Sequence, residues 1–499
     1  MPVNLSYPGV YVEEISSGVH TITGVATSIT AFVGRASRGP VDRAITINSF
    51  GEFERVFGGL WQGSTLGFAV RDFYLNGGSQ AIIVRLFSPV YGTPGDAAQA
   101  GQAAQADAQA AADAVAKAAN DAANEANATL DTVLAATKAA ADGVDAKKPA
   151  AVAAAAGVLK AAQDAANAEA SAQNPDPKKI GTAANADKAG AVAAGAATAR
   201  TKATLSAGGL ALEAAYEGSW GNALRARVDW DVSPDAAAQL NVGSDDLFNL
   251  TVRDTKTGVT EMFRNVTVVV SNPRQVDKVL QNESRLVRCT SLPNARPNKH
   301  GDPQPGKSVW EDDNASSGVQ PDKTAGDGSD LTQADFTGTG KAVAKKGLYA
   351  LEQADLFNLL CIPPYLSGGD IDAGLINEAV AYCKPRRAFL IIDPPSSWKS
   401  KEAAKDGIGS DVGDPTDYAA VFFPRFQQPN PLHKNQMEEF VPCGAVAGVF
   451  ARTDASRGVW KAPAGLDATL NGVPELSVNL TDAENGELNP LGINSLRTF

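Results

Sequence analysis

Hydrophobic and polar positions fall into three textures along the chain. Short, nearly continuous apolar runs mark buried strands. Ile29 to Gly34 reads Ile-Thr-Ala-Phe-Val-Gly, Ala81 to Leu86 reads Ala-Ile-Ile-Val-Arg-Leu, Leu356 to Ile362 stops at Pro363-Pro364, and Ala388 to Ile392 stops at Asp393-Pro-Pro. Helical spacing fills the gaps. Ser49 opens a helix carrying Phe53, Val56 and Phe57 that Gly58-Gly59 closes, and Ser64 opens another with Phe68, Val70, Phe73 and Tyr74 that Gly77-Gly78 closes. Ile371 to Tyr382 has the same texture. Strand, helix and strand at this spacing predict a parallel sheet buried on both faces. Leu247 to Asp254 and Val266 to Val270 are patterned as antiparallel strands, and Ser291 to Lys341, dense in Pro, Gly, Asp and Asn, predicts a long surface loop.

The third texture is alanine. From Ala97 to Leu205, 48 of 109 residues are Ala, and no aromatic residue stands between Tyr91 and Tyr216. Alanine loses no side-chain entropy in a helix, so this stretch is helical. Its larger apolar residues are sparse: Val115, Leu130, Val133, Leu134, Val152, Val158 and Leu159. Val115, Leu130 and Val133, at steps of fifteen and eighteen, fall on one face of a continuous helix. Breaks at Gly143 to Pro149 and Asn174 to Pro177 predict two to four thin helices burying little area, marginal and mobile. The segment has 10 basic and 11 acidic residues, hence a charge of −1, and no strongly apolar or basic face. That favours a solvent-facing insertion over a membrane helix or partner surface.

Composition narrows the function classes. At 499 residues the chain has room for about three domains of ~150 residues. The formal charge of −12 speaks against a general polyanion binder. Cys289, Cys361, Cys383 and Cys443 are far apart and make no C-x-x-C pair, and His20, His300 and His433 are scattered. No run approaches the ~20 apolar residues of a membrane span. The start, Met1-Pro-Val-Asn-Leu-Ser-Tyr7, lacks a basic and then apolar export pattern, so the expectation is a soluble protein of a reducing compartment.

Candidate chemistry is thin. Thr337-Gly-Thr-Gly-Lys341 resembles the end of a phosphate loop, but Asp335 stands where the first glycine belongs and Ala342 where Ser or Thr would meet magnesium. Asp393 at a strand end and His433 could join a serine in a hydrolase triad, yet no Gly-x-Ser-x-Gly elbow occurs, and Asp-Pro-Pro at a strand end serves as a turn or a helix cap. Asp327-Gly-Ser-Asp330 and Glu311-Asp-Asp313 lack calcium-loop spacing. The cysteines read as small buried hydrophobes, and Trp220, Trp230 and Trp460 as core anchors. No catalytic, cofactor or metal residue is assigned. The N-terminal Pro8-Gly-Val-Tyr-Val-Glu-Glu-Ile15 alternates as a strand on a polar tether. It either pairs within its own chain or completes the sheet of another subunit.

Several short motifs in order resemble one family, the tail sheath proteins of contractile phage tails and related injection systems. They are Pro8 to Ile15, Thr30-Ala-Phe-Val-Gly34 with Gly39-Pro40, Phe73-Tyr-Leu-Asn-Gly-Gly78, Gly218-Ser-Trp-Gly-Asn222 with Leu224, Gly347-Leu-Tyr-Ala-Leu351 and Cys361-Ile-Pro-Pro364. The most specific is Val446-Ala-Gly-Val-Phe-Ala-Arg-Thr-Asp454 followed by Arg457-Gly-Val-Trp-Lys-Ala-Pro-Ala-Gly465, and Leu488-Asn-Pro-Leu-Gly-Ile-Asn494 is similar to the family's late signature. Proteins of that family usually run well past this signature into an inner domain and a C-terminal arm, whereas Phe499 follows it closely here.

The resemblance implies a multi-domain α/β sheath fold with a parallel or mixed sheet core and no enzymatic role. Residues 1–24 would be an inter-subunit arm whose strand uses Val10, Tyr11, Val12 and Ile15. Residues 25–96 and 206–450 would be the core, with the 291–341 loop, and 97–205 an exposed insertion on the outside of a tube. Residues 451–499 would begin the inner, tube-facing domain, with Lys461 and Arg497 as tube-facing candidates. The implied partners are copies of the chain in a helical homo-oligomer, an inner tube protein, and baseplate and terminal cap proteins, with no nucleic acid, cofactor or membrane insertion. Assembly would take place in the bacterial cytoplasm, in a phage tail or a released particle. The alternatives are a non-contractile baseplate or shell component and an α/β hydrolase.

Overall fold

The computed structural model describes residues 27–90, 97–145, 148–172, 174–197, 200–365 and 368–498. The four predicted apolar runs supply strands of one seven-stranded sheet, whose other three strands were not predicted. Its strands are β1 (Thr30–Arg35), β2 (Ala44–Ile47), β3 (Ala81–Leu86), β4 (Leu359–Cys361), β5 (Phe389–Ile392), β6 (Ala419–Phe423) and β7 (Ile493–Ser495). Their order in space is β7-β6-β5-β4-β1-β3-β2. All neighbours are parallel except β2, which runs antiparallel to β3 with Ala44 opposite Val84. Thr30 aligns with both Ala81 and Leu359, so β1 is the centre from which the chain winds first one way and then the other. The run from Leu356 yields a strand only at Leu359–Cys361; just before it, Asn358 donates its N–H to Ile29 O at 2.8 Å and its side chain accepts the Ile29 amide at 3.0 Å.

Both faces are covered, as expected for parallel strands. One carries the helices Phe50–Phe57, Leu66–Leu75 and Cys443–Arg457 over Phe32, Ile83, Leu359 and Ile391. Ser49 caps the first of these by accepting the Glu52 amide, and Gly58 closes it in the left-handed region at φ 91°. The other face carries Ala373–Arg386, Lys401–Gly407 and Asp482–Leu488 over Val33, Ile82, Val84 and Leu390.

A second unit holds two antiparallel sheets around Leu212, Leu224, Phe248, Leu250 and Val252. The Leu247–Asp254 strand is as expected, but its partner is Thr260–Thr267 and not Val266 to Val270. The chain leaves the ladder after Thr267, and Val270 is 75% exposed. The 291–341 stretch is no loose loop. It contributes a strand, Ser317–Gly318, beside Ala226, and a helix, Gln333–Thr337. It is tied inward by Asn298 N–H to Gly208 O at 2.8 Å and His300 N–H to Val228 O at 3.0 Å. Most of the stretch is still exposed or half-buried, as a surface segment should be.

Among the described residues the alanine-rich segment forms five helices, Ala97–Ala123, Leu130–Asp142, Pro149–Ala170, Lys178–Ala186 and Lys188–Ala197. An unforeseen break at residues 124–129, with Thr129 capping the second helix, puts Val115 and Val133 on different helices. Both are nevertheless fully buried in one cluster with Val158, Ile180 and fifteen alanines. A three-stranded sheet of Phe426–Asn430, Gln436–Phe440 and Glu475–Leu476 packs Phe426 and Phe440 against Phe68. Among the described residues no helix is long and apolar enough to cross a membrane.

Candidate functional site

The most distinctive surface grows from the Cys443–Arg457 helix. Its first two turns read Cys-Gly-Ala-Val-Ala-Gly-Val, and every one of these residues is buried. A helix apolar all round must be enclosed, and this one is pressed onto Leu66–Leu75 by two glycines. A Cβ at Gly444 would lie 2.6 Å from the Ala69 carbonyl carbon, and one at Gly448 would lie 2.5 Å from the Phe73 carbonyl oxygen. The helix N-terminus is held by Asp393, which leaves β5 and accepts the Cys443 amide at 2.7 Å. The strand-end Asp-Pro-Pro is thus a helix-capping device, acting on a helix fifty residues downstream. Burial pushes the Asp393 carboxyl up to about 6, against the lowering effect of Cys443 and Arg425.

The second half of the helix turns polar and reaches solvent. Gly458, at φ 96°, closes it, and the chain then presents Val459, Trp460 and Leu466, with Trp460 84% exposed. A side chain at Gly458 would collide with the Trp460 ring, so the glycine lets the indole fold back across the helix end. Beside it lies a hollow of about 340 Å³ lined by Arg452, Arg457, Lys461, Ser456 and Asp467. Arg452 donates to Thr469 O at 2.6 Å, Arg457 pairs with Asp467 at 3.1 Å, and Lys461 reaches only Ala462 O at 3.1 Å. Three cations face one carboxylate here, on a chain of net charge −12. Chemically this is an apolar knob beside a basic hollow. It is suited to gripping an acidic protein surface.

Trp460 is therefore not the core anchor expected. The surrounding Gly458, Lys461, Pro463 and Gly465 carried that signal, since their composition is that of a loop. Trp220 is half-buried, donating to Glu217 O at 3.1 Å, and Trp230 lies under Arg296, 3.8 Å from its ring centre. Lys461 belongs to the hollow, but Arg497 does not join it. Arg497 follows β7, is largely buried and is paired with the Asp482 carboxylate. Val10, Tyr11, Val12 and Ile15 lie outside the described residues.

The remaining candidates resolve into local structure. His433 binds Glu438 and Asn430 on the Phe426–Phe440 hairpin, while Asp393 engages Cys443, so the triad is not assembled. The cavity beside Asp393 admits the centre of a water-sized sphere over only about 20 Å³, room for roughly one water. Gly340 and Lys341 open a four-residue helix, not a phosphate loop. Asp327 accepts from Ser219, Asp330 pairs with Arg35, and Asp313 pairs with Arg225. Among the described residues no group of three or more His, Cys, Asp or Glu could hold a metal. Cys361, Cys383 and Cys443 are buried, and burial pushes the Cys383 thiol up to about 12.

No protein-family model matches the chain, and no curated protein does. Among solved structures it is similar to a sheath tail protein from Listeria innocua, at 12% identity and a TM-score of 0.47, covering 95% of this chain and 66% of that one. It is similar also to a sheath tail protein from Desulfitobacterium hafniense, at 10% identity and a TM-score of 0.44, covering 98% and 72%. A third is the anti-feeding prophage helical sheath in its contracted state, at 15% identity and a TM-score of 0.35, covering 99% and 65%. This chain thus spans about two thirds of the length of each. Likeness of this depth leaves the functional reading to the residues themselves.

Proposed function

We propose that this chain is the structural subunit of a contractile sheath, polymerising as a helix around an inner tube and shortening to drive that tube through a target envelope. The observation that carries the reading is the Val446–Gly465 block. The stretch most similar to the sheath family folds into a helix locked by Gly444, Gly448 and Asp393 that delivers Trp460 and Lys461 to solvent. A protein that works by contact needs its contact residues on a rigid mount, and this helix supplies one.

In this reading the Trp460 knob and the basic hollow face the tube protein. The strand of Val10, Tyr11, Val12 and Ile15 adds to a neighbouring copy, and residues 97–205 project outward. Baseplate and cap proteins close the ends, and assembly takes place in the bacterial cytoplasm. A head-to-tail contact that does not close generates a helix of subunits. The free energy of contraction is a difference between two lattices of one folded body. Each ~100 Å² of additional apolar burial per subunit would release about 2.5 kcal/mol, which summed along a tube drives a one-way wave.

Negative-stain microscopy of assembled particles tests this. Striated tubes in two lengths and widths support a sheath. Tubes or rings of a single lattice state would instead fit a baseplate or shell component, and a particle that stays monomeric with its tube partner present would end both readings.

A further inference from the structure

Two segments of the chain come to rest on one turn. Asn76 and Gly77 close the Leu66–Leu75 helix, the Asn76 amide donating to Asp72 O at 3.1 Å and the Gly77 amide to Tyr74 O at 3.2 Å. Gly77 stands at φ 102°, and a Cβ there would lie 2.8 Å from Arg452 Cβ. The stem of Arg452 therefore lies flat on the turn, where only glycine leaves room, while its guanidinium donates to Thr469 O at 2.6 Å. Asn76 takes the chain that returns from Trp460. Its Oδ1 accepts the Asn471 amide at 2.7 Å, and its Nδ2 donates to Asn471 O at 3.2 Å and to Asp72 O at 2.9 Å. The Asn471 side chain adds a bond to Leu75 O at 3.2 Å. The loop of residues 458–470 thus starts from a helix seated on Gly77 and ends on Asn76.

Asn76 is fully buried, and the Cys443–Arg457 helix presses on it: a Cβ at Gly448 would lie 2.7 Å from Asn76 Cβ. A buried amide is costly unless its polar atoms are met, and here both Nδ2 and Oδ1 have partners. What the amide adds over an apolar side chain is direction. Leu470 and Val473, on either side of Asn471 and Gly472, pack against the cluster of Phe68, Phe426 and Phe440. Apolar burial is non-directional and tolerates sliding. The reciprocal bonds to Asn471 do not, because a shift along the chain would leave the buried Asn76 amide unmet.

We propose that Asn76 is the positioning residue of the contact surface. By pairing with the Asn471 main chain it fixes the register of the 458–470 loop. With Arg452 seated on Gly77, it sets where Trp460 and the basic hollow stand. Asn76 does not face the partner itself and acts through the loop. The inference rests on the tube-facing reading for its use, whereas the pin is a property of the single chain and is tested without a partner.

The test is the mobility of the loop in the full chain. Leu466, 70% exposed, is replaced by cysteine and spin-labelled in a Cys289→Ser background, the other three cysteines being buried. The same label at Val343→Cys is the remote control. Asn76→Ala should free the 466 label, leave the 343 label and the circular dichroism unchanged, and speed exchange of the Asn471 amide about ten-fold. Asn471→Ala, which removes only the bond to Leu75 O, should leave the 466 label restrained. A label equally restrained in folded Asn76→Ala, or freed as much by Asn471→Ala, overturns the proposal. If Asn76→Ala does not fold, exchange in the parent decides. Slowing of the Asn471 amide by about ten-fold or more against an unstructured peptide supports the pin, and no slowing overturns it. Asn76→Ala should also weaken co-pelleting with the tube protein, and a freed label with undiminished co-pelleting overturns the positioning role. A parent chain that never co-pellets, while Asn76→Ala frees the label, ends the tube-facing reading and supports the pin.

Discussion

Replacing Gly444 by alanine puts the contact that seats the Cys443–Arg457 helix to a direct test. The new Cβ would meet the Ala69 main chain, 2.6 Å from its carbonyl carbon and 2.7 Å from its Cα. Ordinary contact is ~3.5–4.0 Å, so the two helices must part by about 1 Å. The obstacle is backbone and cannot rotate aside. Overpacking of this kind costs about 1–3 kcal/mol, from which the better helix propensity of alanine recovers up to ~1 kcal/mol. A net loss of about 1 kcal/mol corresponds to roughly five-fold more frequent opening. Hydrogen–deuterium exchange of peptides covering 443–457 reads that opening locally, without assuming that so large a chain unfolds in one step. Gly486→Ala is the control. It too sits inside a helix, Asp482–Leu488, but nothing lies within 4 Å of its Cβ position, so it should slow local exchange by the propensity gain alone. If Gly444→Ala exchanges as slowly as the parent while Gly486→Ala behaves as stated, the two helices do not approach as closely as described, and the rigid mount for Trp460 is lost.

Three further outcomes are expected. Trp460→Ala with Lys461→Glu should abolish co-assembly with the tube protein in a pelleting assay, yet leave thermal stability within about 0.5 kcal/mol because both are surface changes; retained co-assembly removes the tube-facing assignment. Val12→Pro deletes a ladder donor and should leave a folded monomer that forms no long sheath in electron micrographs; long sheaths would remove the arm assignment. Asp393, lifted by burial to about 6, binds more protons folded than unfolded, so its share of stability is present below pH ~4 and lost as pH rises to ~6, on the order of 3 kcal/mol. Asp393→Asn, which can still accept the Cys443 amide, should flatten that part of the denaturation profile; an unchanged pH slope would show that the carboxyl is not held neutral.

What was legible in the sequence was local. Ser49 and Gly58 bracket a helix whose caps are made by the neighbouring residues themselves, and Ala81–Leu86 declares a buried strand by its own composition. What was not legible depended on distant chain. The whole run from Leu356 to Ile362 looks like strand, yet only Leu359–Cys361 pairs, because pairing is decided by β1 and β5. The polar 291–341 stretch looks like loop because its partners, Gly208 and Val228, are far upstream. Val115 and Val133 share a core as foreseen, but from separate helices, since a weak break at residues 124–129 prevails where a single continuous helix was assumed. At the candidate site Lys461 was foreseen. Arg452, and the need for glycine at positions 444 and 448, were not, because close approach is a property of two helices and appears in neither one's pattern.

The division of the chain into closed cores bears on how it can work. The helical insertion buries its valines and alanines against one another, with Gly195 packed so tightly that a Cβ there would sit 2.8 Å from that of Ala108. Its surface ion pairs, such as Lys160–Asp164 at 2.6 Å, are exposed and spaced four residues apart, so they add little. Much of its stability therefore lies in its own closed core. A subunit built to change neighbours gains from that arrangement. Apolar interiors are close-packed and keep their shape, so a change of neighbours falls to outward surfaces such as the exposed Trp460 knob.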